Sequence, residues 1–286
     1  MSHARPLLDA LAARAAASPF LGTLGCTVDT AEHDRVRLRL AVRPGDVNRN
    51  GTLHGGVMAS LLAAASAFAA GGGDDVPFVA VDQSIVYLAV GRAETVVADG
   101  RVLRRGRGIV HAEATVADAG GTALARGFTV LRPGTLPPPG ETTPLAGTPP
   151  SEPLHEASTS LSPFSARLGV RVALRQAARG IAVLHDGEAV READGAIAGG
   201  ALATLLDAAS GASAWSVVGF DPRGRAATLA MHLARHAAAR GEDVVADSVA
   251  LPAGDGCHVC VVKLWGRRTR SLVASGSATY RITVGA

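Results

Sequence analysis

The hydrophobic and polar positions of the chain follow two recurring patterns. Residues 35–42 alternate apolar with charged side chains, which is the pattern of a half-buried strand. Residues 59–70 and 201–216 are apolar on nearly every helical face, so they predict two helices buried in a core. Further strands are predicted after the helices, at residues 78–90, 94–103, 109–117 and 123–131 and at residues 226–234, 244–251, 258–265 and 272–284. A long apolar helix followed by hairpin strands indicates an α+β fold, with an antiparallel sheet wrapped around the helix.

The two halves of the sequence repeat each other at an offset of 144 residues. Ser-Pro-Phe at residues 18–20 recurs at 162–164, and the Gly-Gly segment 55–62 recurs at 199–206. Between the halves, residues 133–153 hold eight of the fifteen prolines, which is typical of a semi-extended linker. The repeat therefore predicts two domains joined by this linker. Their predicted bounds are residues 1–132 and 154–286.

Composition narrows the class of protein. Hydrophobic residues make up 48% of the chain and aromatic residues only 3%, so the cores must be built from Ala, Val and Leu. The net charge of +3 is too small to indicate a nucleic-acid partner. Three cysteines give no disulfide framework, and we expect them to be reduced. His232 and His236 can share one strand face, but no third ligand is apparent, so neither a metal nor another cofactor is expected.

One uncharged stretch is long enough to raise the question of a membrane span. Residues 55–73 carry no charge, but they are mostly Ala, Gly and Ser. The equivalent helix in the second half contains Asp207, which is costly in lipid. No secretory signal is visible, because Asp9 and Arg14 interrupt the first apolar segment. We therefore expect buried helices, no membrane association and a cytoplasmic location.

The loop before the first helix resembles a known family. Residues 48–56, Asn-Arg-Asn-Gly-Thr-Leu-His-Gly-Gly, run into an Ala-rich helix as in hotdog-fold acyl-CoA thioesterases of the phenylacetate-degradation and 4-hydroxybenzoyl-CoA type. Residues 79–87 are similar to the strand that follows this helix in that family. The resemblance covers most of both halves and implies two fused hotdog domains. It also implies a site between two units, in which one unit supplies the loop and helix start and the other supplies a carboxylate and a strand hydroxyl.

The two halves depart from the family pattern in complementary ways. The first half keeps the loop residues but lacks the carboxylate and the hydroxyl, whereas the second half keeps only the latter two groups. The residues kept are Asn48, His54, Gly55 and Gly56 in the first half and Asp207 and Thr228 in the second. The residues at the lost positions are Ala63 and Ala80 in the first half and Glu192 and Ala198 in the second. This pattern predicts one live and one vestigial site per chain.

The resemblance assigns a chemical role to each residue of the live site. Thioester hydrolysis builds negative charge on the carbonyl oxygen, which the Gly55 N–H and the helix dipole can stabilise. The Asn48 amide can add a second donor, and His54 can orient the turn or contact the carbonyl or the leaving thiolate. Asp207 is expected to act as general base or nucleophile, with Thr228 holding the attacking water. The predicted substrate-binding residues are Gly56, Thr204 and Ser210.

Alternative interpretations stay open for the residues and for the function. Asp207 can be a hydrogen-bonded structural group, His54 a helix cap and Asn48 a turn former. The expected activity is hydrolysis of an acyl-CoA whose acyl group the sequence does not reveal. The alternatives are a non-catalytic acyl-CoA or fatty-acyl binding protein and a hotdog enoyl-thioester hydratase. A homodimer or larger homo-oligomer is a further expectation.

Overall fold

The computed structural model describes residues 4–72, 76–140, 147–151, 154–155, 162–221 and 223–284. Each half places two strands before a long helix and four strands after it. The first half consists of α1 (Ala4–Ala16), α2 (Pro19–Leu24), β1 (Cys26–Glu32), β2 (Arg35–Ala41), α3 (Gly55–Gly71), β3 (Phe78–Tyr87), β4 (Thr95–Arg105), β5 (Val110–Asp118) and β6 (Ala123–Pro133). The second half consists of α4 (Pro163–Arg167), β7 (Val170–Gln176), β8 (Arg179–Leu184), α5 (Gly199–Val218), β9 (Arg225–Arg235), β10 (Val244–Gly254), β11 (Cys257–Gly266) and β12 (Leu272–Thr283).

The strands of both halves form a single antiparallel sheet. Its order is β1-β2-β4-β5-β6-β3-β9-β12-β11-β10-β8-β7, so β3 and β9 join the halves edge to edge. At this seam Ser84 lies opposite His232. The strand order is the same on both sides of the seam, so an approximate twofold axis relates the halves. The predicted α+β architecture is present, but the two predicted sheets are continuous.

The long helices lie against the sheet and against each other. α3 packs mainly on β4 and β5, and α5 packs mainly on β8 and β10. Both are largely buried, and one hydrophobic core extends through both halves. By length and composition alone α5 can cross a membrane, yet 83% of its apolar window is buried inside the fold.

The contact between α3 and α5 depends on glycine and is reciprocal. A Cβ added to Gly56 would lie 2.3 Å from the Thr204 hydroxyl oxygen, and one added to Gly200 would lie 2.2 Å from that of Ser60. Both distances are far below van der Waals contact, so any larger residue would push the helices apart. Gly200 lies 144 positions after Gly56, and Thr204 lies 144 positions after Ser60. The duplication is therefore visible as twofold packing.

The Pro-rich segment predicted as a linker is packed over part of its length. Residues 141–146 and 152–153 of the predicted linker lie outside the described residues. Leu136 is buried against Ala196 and Ala238 of the second half. The Arg270 guanidinium donates to the carbonyl of Pro150 at 3.3 Å. The described part of the linker therefore contacts both halves, because the Gly134 N–H also donates to the Pro77 carbonyl of the first half at 2.8 Å.

Candidate active site

The Asp207 carboxylate is buried and held by two hydroxyl groups. It lies on α5 and is 7% exposed. The Thr228 hydroxyl donates to its Oδ1 at 2.8 Å, and the Tyr280 hydroxyl donates to the same oxygen at 2.5 Å. Thr228 and Tyr280 are partners across β9 and β12, so the sheet register presents both hydroxyls together. Burial and the charge of Asp207 raise the pKa of Tyr280 well above its usual value, which keeps its hydroxyl a donor.

His54 of the first half faces this carboxylate. It is the N-cap of α3, where its Nδ1 accepts the Gly56 N–H at 2.9 Å. A neutral imidazole with Nδ1 as acceptor carries its proton on Nε2, and this atom lies 4.0 Å from Asp207 Oδ2. Burial lowers the pKa of His54, against the smaller raising effect of Asp207, and so favours the neutral ring. The Oδ2 atom, unlike Oδ1, thus faces the start of α3 from the opposite half.

The start of α3 offers a backbone donor beside these side chains. Among the described residues, none accepts a hydrogen bond from the Gly55 N–H, as expected for a first helical residue. The Tyr87 hydroxyl donates to the Gly55 carbonyl at 3.1 Å and covers this turn. The charge of Asp207 adds to burial in raising the pKa of Tyr87, which places this ring in the same electrostatic environment. We call the group of His54, Gly55, Asp207, Thr228 and Tyr280 the Asp207 site.

The twofold axis defines an equivalent position with different side chains. Ala63 lies 144 residues before Asp207, and Ala80 has Leu131 as its strand partner just as Thr228 has Tyr280. Ala198 caps α5 without a side-chain hydrogen bond. We call the group of Ala63, Ala80, Leu131 and Ala198 the Ala63 site. A cavity of about 250 Å³ opens at this position, lined in part by Ala63 and Ala80.

Comparisons with known proteins bear on the fold and on part of the sequence. Residues 50–125 match the sequence model of the thioesterase superfamily. A proposed thioesterase II from Thermobifida fusca YX superposes with a TM-score of 0.69 at 18% identity, over 93% of this chain and 98% of that chain. The tesB protein of Mycobacterium avium subs paratuberculosis gives a TM-score of 0.64 at 14% identity, again over 93% and 98%. A conserved protein with a hot dog fold from Alicyclobacillus acidocaldarius gives 0.60 at 14%, over 91% and 97%.

The chain has the hotdog fold, and residues 50–125 within it match the thioesterase superfamily. It covers 97–98% of each of these three structures, and each half contributes one hotdog unit with its own long helix. No curated protein matched the sequence significantly.

The remaining predicted residues of this double-hotdog chain do not lie against the Asp207 carboxylate. The Asn48 amide donates to Thr52 Oγ1 at 2.7 Å, and its oxygen accepts the Asn50 N–H at 2.8 Å, so it shapes its own loop. Thr204 and Ser210 are 0% exposed. The Thr204 hydroxyl donates to the Gly200 carbonyl at 2.9 Å.

These placements concern the three residues predicted to bind substrate, Gly56, Thr204 and Ser210. Thr204 and Gly56 meet at the contact between the hotdog helices, and Ser210 lies wholly inside the second unit. In this arrangement Gly56 and Thr204 contribute to the packing of the two helices.

Sequence reasoning missed both tyrosines of the site. The chain has only two tyrosines, and the structure places Tyr87 over the start of α3 and Tyr280 on the Asp207 carboxylate. Their rarity in a chain with 3% aromatic residues is the signal that could have identified them.

Proposed function

We propose that the protein is an acyl-CoA thioesterase that hydrolyses its substrate at the Asp207 site. The observation that carries this proposal is the position of the Asp207 carboxylate of one hotdog unit opposite the capped helix start of the other, with 4.0 Å between Asp207 Oδ2 and His54 Nε2. The thioesterase-superfamily match over residues 50–125 supports thioester hydrolysis in general. The proposal adds that the substrate is an acyl-CoA and that each chain has one composite site.

The start of α3 supplies the electrophilic half of the mechanism. When the thioester carbonyl oxygen binds at the Gly55 N–H, the developing oxyanion is stabilised by this donor and by the dipole of a 17-residue helix. His54 holds the turn through the Gly56 N–H. Its Nε2–H can donate to the departing sulfur as the carbon–sulfur bond breaks.

Asp207 supplies the other half. Thr228 and Tyr280 occupy Oδ1, so Oδ2 is the oxygen left to act on the substrate. As a general base, Oδ2 takes a proton from water while the water oxygen bonds to the carbonyl carbon, and the thiolate then leaves. As a nucleophile, Oδ2 bonds to the carbonyl carbon, the carbon–sulfur bond breaks and the thiolate leaves, and water then hydrolyses the resulting anhydride. The geometry accommodates both routes.

The test is hydrolysis of a panel of acyl-CoAs by the purified chain, followed with a free-thiol reagent. Asp207→Asn keeps the size of the side chain but removes its charge. It should lower kcat by about 10²–10⁴-fold, which is the usual contribution of a general base. The control is Asp247→Asn, which removes a half-buried carboxylate bonded to Arg179 at 2.7 Å, away from this site. Full activity in Asp207→Asn would overturn the assignment, and an inactive wild type that binds acyl-CoA would favour a binding protein.

A further inference from the structure

The cavity at the Ala63 site has the shape of a binding pocket. Its volume of about 250 Å³ is on the order of eight times the share of one water molecule in the liquid. Its walls are mostly apolar, with Ala64, Phe68, Phe78 and Leu233 among the lining residues. A pocket with apolar walls and a few converging polar groups is the usual form of a small-molecule site.

The polar groups converge at the end nearest the start of α5. An ideal Cβ on Gly199 would lie 3.2 Å from Arg235 Nη1, so the guanidinium lies against the first residue of this helix. Within the described residues, Arg235 makes one long hydrogen bond, from Nη2 to the Ile197 carbonyl at 3.4 Å, and its buried Nε has no partner. A buried cation with unused donors is costly unless an acceptor is supplied.

The two nearest carboxylates do not satisfy this guanidinium. Asp194 pairs with Arg240 at 2.5 Å. Glu192 accepts the Ser18 hydroxyl at 2.8 Å, and burial raises the pKa of Glu192, so it is more readily neutral than an exposed glutamate. The polar end of the cavity therefore offers donors to an oxygen acceptor on a ligand.

We infer that the Ala63 cavity is a second ligand site, which binds an apolar acyl chain whose head oxygen accepts hydrogen bonds from Arg235. The head oxygen belongs to the carboxylate of a free acid or to the carbonyl of a thioester. The site binds without hydrolysing, because Ala63, Ala80 and Leu131 stand where the Asp207 site has its carboxylate and two hydroxyls. The inference extends beyond the proposed function, since it requires binding alone.

Calorimetry with octanoate on the full chain tests the site directly. Wild type and Asp207→Ala should both bind one octanoate per chain. Arg235→Met, which keeps side-chain length but loses the donors, should weaken binding at least tenfold. Ala63→Leu should abolish binding by filling the cavity. Arg225→Met, on the same strand but exposed and outside the cavity, should bind like wild type.

A second arm uses octanoyl-CoA with the Asp207→Ala chain. If Ala63→Leu abolishes the binding of octanoyl-CoA, the cavity accepts the thioester. If Ala63→Leu leaves the binding of octanoyl-CoA unchanged, the cavity accepts only the free acid. Thermal unfolding checks that each variant is folded. If Arg235→Met does not fold, Ala63→Leu remains as an independent test of the site. No binding of any acid from six to twelve carbons or of phenylacetate, or binding unaffected by both cavity variants, would overturn the inference. If the chain binds octanoate in the cavity but hydrolyses no acyl-CoA, the inference of a second ligand site is supported and the proposed function is contradicted.

Discussion

The Asp207 and Ala63 sites share a backbone and differ in side chains. His54 and Ala198, the residues before the two long helices, have nearly the same conformation, with φ −68° and ψ 138° in one and φ −64° and ψ 144° in the other. At the first site, polar side chains surround the helix start. At the second, apolar side chains, the Arg235 guanidinium and the carboxyl groups of Glu192 and Asp194 do. The duplicated scaffold thus preserves the position of a site twice, and the side chains alone decide what chemistry each position can perform.

The difference also extends to the space at each position. At the Ala63 site the loop and helix residues are small, with Ala193 lining the cavity and Gly71 near its far end. Their counterparts 144 residues away are Arg49 and Trp215, and the Arg49 guanidinium stacks over the Trp215 ring at 5.4 Å. The Ala63 site therefore lacks both the catalytic groups and these two bulky side chains, which leaves room for a ligand.

The largest effect in the comparison is expected from the helix-start N–H. Gly55→Pro deletes this donor at a position where helices tolerate proline, and the extended backbone of His54 suits a residue before proline. We expect kcat to fall by about 10²–10³-fold, the usual cost of losing one oxyanion donor. Gly199→Pro makes the same change at the Ala63 site and should leave hydrolysis close to wild type. Equal losses in both variants would mean that the two helix starts do not differ in function.

The next effect concerns the hydroxyl that has no counterpart in the first half. Tyr280→Phe removes the donor 2.5 Å from Asp207 Oδ1 but keeps the ring. A hydrogen bond to a charged group contributes about 1.5–3 kcal/mol, so kcat should fall by roughly tenfold to hundredfold. Tyr87→Phe removes a bond to a neutral carbonyl and should cost less. A larger fall of kcat in Tyr87→Phe than in Tyr280→Phe would mean that the hydroxyl on the helix start matters more for hydrolysis than the hydroxyl on the carboxylate.

Much of this arrangement could be read from the sequence, because repetition and helical pattern are local signals. The helix starts at Gly55 and Gly199 and most strands after them were predicted. Strands β1, β7 and β8 were missed. The turn between β7 and β8 consists of Ala177 and Ala178 with φ of 50° and 62°, where Gly or Asn is the usual signal.

For the candidate site, the sequence predicts only those residues whose positions follow from the repeat or from a local pattern. Asp207 follows from the 144-residue offset, and Thr228 from the strand pattern. Tyr280 depends on the pairing of β12 with β9, which joins residues 52 positions apart. The packing role of Thr204 depends on which helix face meets α3. Both are tertiary facts that no local pattern specifies.

The smallest expected effect is on stability, and it isolates His54 from the rest of the site. His54→Ala gives α3 the same N-cap residue that α5 already has in Ala198. Loss of an N-cap acceptor costs about 1 kcal/mol of unfolding free energy. Urea unfolding of the two chains at pH 8 should show this difference.

The same pair of chains gives a pH dependence with a definite sign. Burial lowers the folded-state pKa of His54 below its usual 6.5, so the cap is fully present above that value and is lost as pH falls through the folded pKa. A proton on Nδ1 removes the lone pair that accepts the Gly56 N–H. The stability difference between wild type and His54→Ala should therefore shrink between pH 7 and pH 5. His236, whose pKa burial also lowers, is present in both chains and cancels in the difference. A difference that grows on acidification would mean that the protonated ring is stabilised by Asp207, and that the two residues form an ion pair instead of a neutral donor facing a carboxylate.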